Sequence, residues 1–284
     1  MGTVMLGNEV ANAMKEWLLS EVKTLKSEGV EPSLTIIRVG ARPDDLSYER
    51  GAKKRMEMIG ITCRIIELPE NISQARFEEE FRNINEDVNV HGILLFQPLP
   101  EGLDVEPVRM MIHPEKDMDC MSPINTAKVF AGDASGFAPC TAEAVMEMLK
   151  YYEIPLEGEN TVIVGRSMVV GKPLAMLMLE KHATITVCHT RTENLEEICR
   201  NADILVTCAG RAKMITENMV GDGAVIADVG INVDEDGNLC GDVDFDAVCE
   251  KASYISPVPR GVGSVTTSVL AAHVVRAAKN SMKR

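Results

Sequence analysis

Paired cysteines are missing from this chain. Its eight cysteines, at 63, 120, 140, 188, 199, 208, 240 and 249, form no C-x-x-C pair. No Cys/His cluster has zinc spacing either, which excludes the common structural zinc modules. Thiols set in apolar runs such as Thr184-Ile-Thr-Val-Cys188 and Leu205-Val-Thr-Cys208 predict buried, reduced residues in a cytoplasmic protein. No apolar run reaches about 18 residues, so no membrane-spanning helix is expected. The start, Met1-Gly-Thr-Val-Met-Leu6, has no basic segment and no long apolar core, so no secretion signal is expected. Basic charge is in deficit: 29 Lys and Arg stand against 43 Asp and Glu, a net charge of −14. Nucleic acid and anionic membranes are therefore not expected as partners. Repeats and low-complexity segments are absent as well.

What is present is alternation of strand-like and helix-like segments, the pattern of an α/β protein with a mainly parallel sheet. Val10 to Leu25 reads as an amphipathic helix with Trp17, Leu18, Val22 and Leu25 on one side. Ser33–Val39, Cys63–Leu68 and His91–Phe96 read as strands, with helices over Leu46–Ile59 and Ser73–Asn85 between them. A second series, Thr161–Val164, Thr184–Cys188, Asp203–Cys208, Ala224–Val229 and Ser253–Ile255, has the density of a Rossmann-type domain. The expected architecture is two α/β domains flanking a cleft. The first covers residues 1–141 and is joined by a C-terminal helix, 267–284. The second, 142–266, binds the nucleotide.

The G-x-G-x-x-G dinucleotide fingerprint is also missing. In its place stands Thr161-Val-Ile-Val-Gly165-Arg166-Ser167-Met-Val-Val-Gly171-Lys-Pro173, a strand, a glycine turn and an apolar helical run. A turn of this kind leaves free backbone N–H groups and a helix dipole aimed at a phosphate. The loop after the next strand, His189-Thr190-Arg191-Thr192, has no carboxylate at its start to hold a ribose 2′-hydroxyl. It offers a hydroxyl and a guanidinium, and Arg166 stands in the first turn. Two arginines suit a 2′-phosphate, which favours NADP and leaves NAD as the alternative.

These motifs resemble the methylenetetrahydrofolate dehydrogenase/cyclohydrolase family. Gly165-Arg-Ser167 with Gly171 and Pro173 is similar to its cofactor turn, and Asp228-Val-Gly-Ile231-Asn232 to its second cofactor loop. Gly241-Asp-Val-Asp244, Pro257-Val-Pro259 and Gly261-Val-Gly263 are similar to its late motifs. Earlier in the chain, Tyr48, Pro114-Glu-Lys-Asp-Met-Asp119 and Pro139-Cys-Thr141 fit as well. The resemblance implies hydride transfer from 5,10-methylenetetrahydrofolate to a nicotinamide cofactor, and in many members hydrolysis of the resulting methenyl cation in the same cleft. It also implies that Tyr48 stacks on the folate ring and that Asp119 anchors the pterin. Pro259 and Gly261 join the folate site, Thr190 and Ile231 the cofactor site. A homodimer is implied too.

The chain departs from the family pattern where proton chemistry is expected. The family places a lysine four residues after the tyrosine, where this chain has Ala52; the supporting glutamine position holds Phe96, and a serine position holds Asp45. Lys53 and Gln97 each stand one residue late, a rotation of about 100° on a helix or the opposite face of a strand. Hydride loss needs alignment, whereas hydrolysis needs a tuned acid and base. A dehydrogenase with weak or absent cyclohydrolase is therefore the expectation, with the full bifunctional enzyme as the alternative. A non-catalytic folate- or nucleotide-binding paralogue is the reading from another class. Arg260 stands where the family has glycine and is a candidate for the anionic folate tail.

Overall fold

The computed structural model describes residues 2–283 and divides into two compact units. One comprises the segment up to Asn12 and Thr141–Thr266; the other comprises Ala13–Cys140 and the segment from Thr267 onward.

The first unit is built on a six-stranded, all-parallel sheet. Its strands are β1 (Thr3–Val4), β5 (Asn160–Val164), β6 (Thr184–Cys188), β7 (Ile204–Thr207), β8 (Val225–Asp228) and β11 (Tyr254–Ile255), in the spatial order β1-β11-β8-β7-β5-β6. β5, β7 and β8 are covered on both faces and read as continuous apolar runs, while the edge strand β6 alternates. Helices α6 (Cys140–Tyr151), α7 (Gly171–Leu179), α8 (Leu195–Arg200) and the short α9 (Phe245–Val248) connect them. A hairpin of β9 (Asn232–Val233) and β10 (Leu239–Cys240) leaves the carboxyl side of β8. One expectation fails here. Residues 3–4 belong to this sheet, paired with Tyr254–Ile255, and not to the domain of residues 1–141. Two residues are too short a run for any periodicity to reveal, and the pairing spans the whole chain.

The second unit carries a three-stranded parallel sheet, β3 (Thr62–Leu68), β2 (Ser33–Val39) and β4 (Gly92–Leu95) in that spatial order. Its helices are α2 (Pro43–Ile59), α3 (Gln74–Glu86), α4 (Glu106–Met111) and α5 (Pro123–Phe130). The helices α1 (Gly7–Ser27) and α10 (Thr266–Ser281) each have most of their length in this unit. α2 starts earlier than expected because Pro43 sits in its first turn with Asp44 and Asp45, and Gly60 closes it at φ 86°. On α1, Leu18, Val22 and Leu25 are buried as the helical period requires, but Trp17, one step around the helix, is 48 % exposed. Phe77, Phe81, Ile93 and Val108 pack the core between α3, α4 and the sheet.

Candidate active site

In the first unit, chain order reverses between β5 and β7: the chain leaves β5 toward β6 on one side and returns to β7 on the other. Such a switch point opens a crevice at the carboxyl ends of parallel strands, where α/β proteins bind ligands. Gly165 directly follows β5 there with φ 143°, a backbone conformation that other residues rarely adopt. A Cβ on Gly165 would lie 2.4 Å from Cys208 Sγ, at the end of β7. A Cβ on Gly171 would lie 2.1 Å from the Gly165 carbonyl oxygen. The two glycines let the turn 166–170 fold back on the strand end, so that α7 begins directly over it. Ser167 Oγ accepts the Val170 N–H at 3.1 Å and so shapes this turn with its side chain. Pro173 lies in the first turn of α7, where no N–H is required. Met168 and Val169 are about half exposed beside Arg166, so the turn presents apolar side chains as well as a guanidinium at its surface.

Thr190 and Arg191 are exposed in the loop after β6, the strand next to β5. That loop is braced locally: His189 N–H donates to Thr192 Oγ1 at 2.8 Å, and Arg191 N–H to His189 Nδ1 at 3.1 Å. Arg166 is exposed as well. The two guanidiniums thus stand in loops from neighbouring strands.

Ile231 is 68 % exposed just beyond the carboxyl end of β8. The motifs flanking it turn out to be a buried scaffold. Asp228, 3 % exposed, accepts N–H bonds from Gly230, Asp242 and Val243 and the Thr207 hydroxyl. Burial pushes its pKa up to about 6 against these donors. Asp242, fully buried, takes the N–H groups of Ala209, Gly210 and Arg211 and the amide of Asn232. The loops after β7 and β8 are therefore pinned to one another by two carboxylates. Gly241 is required because a Cβ there would fall 1.9 Å from Asp228 Oδ2. The loop after β11 holds Pro259 and Arg260 exposed and Gly261 buried. Arg260 adopts φ 78°, and its carbonyl accepts the Gly7 N–H at 2.9 Å. A 290 Å³ cavity in this unit lies at the opposite, amino ends of the strands, lined by Glu159, Ile204 and Tyr254 among others, and by none of the predicted site residues.

In the second unit, Tyr48 and Asp119 come to the carboxyl edge of the small sheet. Tyr48, on α2, meets Phe96 edge-on at a ring distance of 5.8 Å, and Phe96 directly follows β4. The segment Asp117–Asp119 runs alongside β4, with Asp117 bridged to Ile93 and the Met118 N–H donating to the Ile93 carbonyl at 3.3 Å. Asp119 Oδ1 accepts the N–H of Cys140, the first residue of α6, at 2.7 Å, and burial raises its pKa. Asp117 is the structural partner in this motif: 1 % exposed, it takes the N–H groups of Met121 and Ser122 and the Asn125 amide. Lys116 is likewise occupied, donating to the carbonyls of Asn85 and Asp87. His273 Nδ1–H donates to the Met118 carbonyl at 2.8 Å.

The family's lysine position is filled by Ala52, which is fully buried. Lys53 and Lys54 are exposed and α2 is continuous through them, so no local distortion turns either one inward. Phe96 is 9 % exposed, whereas Gln97 is exposed. Asp45 is buried beside Arg42, with Arg42 Nη2 at 3.4 Å from its Oδ1.

Among the described residues no group of three or more His, Cys, Asp or Glu is placed to hold a metal ion. No helix among them is long and apolar enough to cross a membrane.

Comparison with known proteins agrees with this geometry along the whole chain. Residues 5–119 match the family model of the tetrahydrofolate dehydrogenase/cyclohydrolase catalytic domain, and residues 139–282 that of its NAD(P)-binding domain. The bifunctional protein FolD of Clostridioides difficile is 56% identical over 98% of this chain and 97% of its own length. That of Clostridium kluyveri is 53% identical over the full length of both. Among solved structures, the bifunctional FolD enzyme of Campylobacter jejuni superposes with a TM-score of 0.96 at 40% identity, covering 99% of each chain. The Trypanosoma brucei dehydrogenase-cyclohydrolase, solved with NADP cofactor and an inhibitor, gives 0.94 at 34% identity, over 100% of this chain and 99% of that one. With both halves matched at these identities, the chain belongs to the tetrahydrofolate dehydrogenase/cyclohydrolase family.

Proposed function

We propose that this chain oxidises 5,10-methylenetetrahydrofolate to the 5,10-methenyl cation by hydride transfer to NADP. The observation that carries the reading is the turn between Gly165 and Gly171, where neither glycine has room for a Cβ. Backbone packed this closely at a helix start fits a pyrophosphate. NADP, when bound, supplies the hydride acceptor. Arg166 and Arg191 pair with the 2′-phosphate, a choice supported by the NADP complex of the Trypanosoma brucei relative. Ser167 shapes the turn, while Thr190 and Ile231 flank the nucleotide. Tyr48 stacks on the folate ring and Asp119 anchors it, and Pro259 and Gly261 are substrate-binding residues on this reading. Loss of hydride leaves a cation shared by two folate nitrogens and requires no proton removal. Alignment by these residues then supplies the main part of catalysis.

For hydrolysis of that cation, the names of the relatives support the bifunctional enzyme better than a dehydrogenase alone. A specific observation favours the second reading, weak or absent hydrolysis. Ala52 has no titratable group and Phe96 no hydrogen bond to give, so the proton-handling pair of the family is missing. The chain works as a homodimer in the cytoplasm on either reading.

One pair of assays decides between the two. The first follows methenyltetrahydrofolate supplied alone; the second follows methylenetetrahydrofolate with NADP or NAD. Hydrolysis of methenyl at the rate of the dehydrogenase step establishes the bifunctional enzyme. Methenyl accumulating in step with reduced cofactor establishes the second reading. Absence of cofactor reduction removes both and leaves the non-catalytic paralogue.

A further inference from the structure

The residue that ties the first turn of α2 to the end of β4 is Arg42, and no family pattern considered above includes it. Its backbone caps α2 ahead of Pro43. Its guanidinium reaches two ways. Nη1 donates to the Pro98 carbonyl at 2.9 Å, and Nη2 lies 3.4 Å from Asp45 Oδ1. Asp45 is buried one helical turn before Tyr48, and Pro98 stands two residues after Phe96. Tyr48 and Phe96 in turn meet edge-on. The polar link Asp45–Arg42–Pro98 and the ring pair Tyr48–Phe96 therefore join the same two segments at two points. A planar guanidinium can serve a carboxylate and a carbonyl at once in fixed geometry, which a lysine ammonium on a flexible stem does poorly.

We infer that Arg42, held by Asp45, is a positioning residue for the folate side of the reaction. It clamps the strand end that carries Phe96 against α2 and so sets the distance and tilt of the Tyr48 ring. Asp45 departs from the family's serine at the position where a carboxylate is needed to hold this guanidinium. Phe96 departs at the position where a ring can bear on Tyr48. Two of the three departures are thus parts of one local arrangement. The inference rests on the proposed folate-binding role of Tyr48.

The test is steady-state kinetics on the full chain for Arg42→Ala, Arg42→Lys, Asp45→Asn and Phe96→Ala, and for the double variant Arg42→Ala/Phe96→Ala. Arg42 is partly exposed, its side chain at 39%, so the fold is expected to persist, and the melting temperature of each variant checks this. Arg42→Ala is expected to raise KM for methylenetetrahydrofolate about tenfold, the scale of a lost positioning contact, and to leave KM for NADP unchanged. Arg42→Lys is expected to fall between Ala and wild type. The double variant should be no worse than Phe96→Ala, because the clamp then has no ring to set. If Arg42→Ala keeps the wild-type KM for folate, or raises both KM values alike, the inference is overturned. So it is if the two single effects add in the double variant. Should Arg42→Ala or Asp45→Asn lose the fold, the inference is overturned as well, since the clamp is then structural. Absence of dehydrogenase activity in the wild type would instead remove the proposed function, and the inference with it.

Discussion

Replacing Gly171 by alanine tests the cofactor turn with a single methyl group. An ideal Cβ there sits 2.1 Å from the Gly165 carbonyl oxygen, 2.6 Å from its carbon and 3.0 Å from the Arg166 nitrogen. All three are backbone atoms, so no side chain can swing aside. Reaching even a tight contact requires the turn or the start of α7 to move by about 1 Å. Overpacking of this kind costs about 1–3 kcal/mol of stability. A displacement of about 1 Å in a binding constellation costs about a hundredfold in rate, equivalent to about 2.7 kcal/mol. The expected outcome of Gly171→Ala is a fall of about a hundredfold in kcat/KM for NADP, with KM for methylenetetrahydrofolate near wild type. The assay is initial-rate kinetics with each substrate varied in turn, beside a thermal melt to confirm folding. A folded variant with kcat/KM for NADP within about twofold of wild type would refute the claim that this close approach builds the cofactor site.

Further outcomes are expected elsewhere in the chain. Arg166→Ser together with Arg191→Ser should cost NADP about tenfold or more in kcat/KM and leave NAD little changed, if the two guanidiniums share one phosphate; equal losses for both cofactors would contradict that pairing. Ala52→Lys places an amine on a fully buried face of α2, where burial lowers its pKa. On the second reading of function it should raise methenyl hydrolysis about tenfold even without a glutamine at 96, measured by decay of the methenyl absorbance; no gain would remove Ala52 as the cause of weak hydrolysis. Asp228 titrates at about 6 in the fold against 3.8 for the free group. Its contribution is thus fully present below pH about 4 and is lost as pH rises through about 6. The stability of wild type relative to Asp228→Asn should therefore fall by about 2 kcal/mol from pH 4 to pH 7 in urea titrations. A difference independent of pH would show that the hydrogen-bond donors around the carboxylate fully offset its burial.

Much of this architecture was legible because parallel strands covered on both faces leave continuous apolar runs, as at Thr161–Val164 and Leu205–Val206. The turn at Gly165 was legible for a related reason: glycine spacing records a backbone approach that no other residue permits. Long-range pairing left no such trace. Thr3–Val4 joins a sheet whose partner strand begins at Tyr254. Asp228 and Asp242 belong to two separate motifs in sequence, a cofactor loop and a late motif, yet the Asp228 carboxylate accepts the backbone N–H of Asp242 at 3.1 Å. The Lys116-Asp-Met-Asp119 motif holds a ligand candidate and a loop brace two residues apart, and only their hydrogen-bond partners tell them apart. Tyr48 and Asp119 were singled out by resemblance; parallel pairing along β4 is what explains their common edge.

The central claim is hydride transfer at the Gly165–Gly171 turn. Its most direct measurement is the initial rate of NADPH formation when purified protein receives methylenetetrahydrofolate and NADP, with the methenyl and 10-formyl products counted together. The account predicts one NADPH per folate oxidised, a rate at least about tenfold greater with NADP than with NAD, and loss of that rate in Gly171→Ala. NADP binding without any folate-dependent reduction would contradict it.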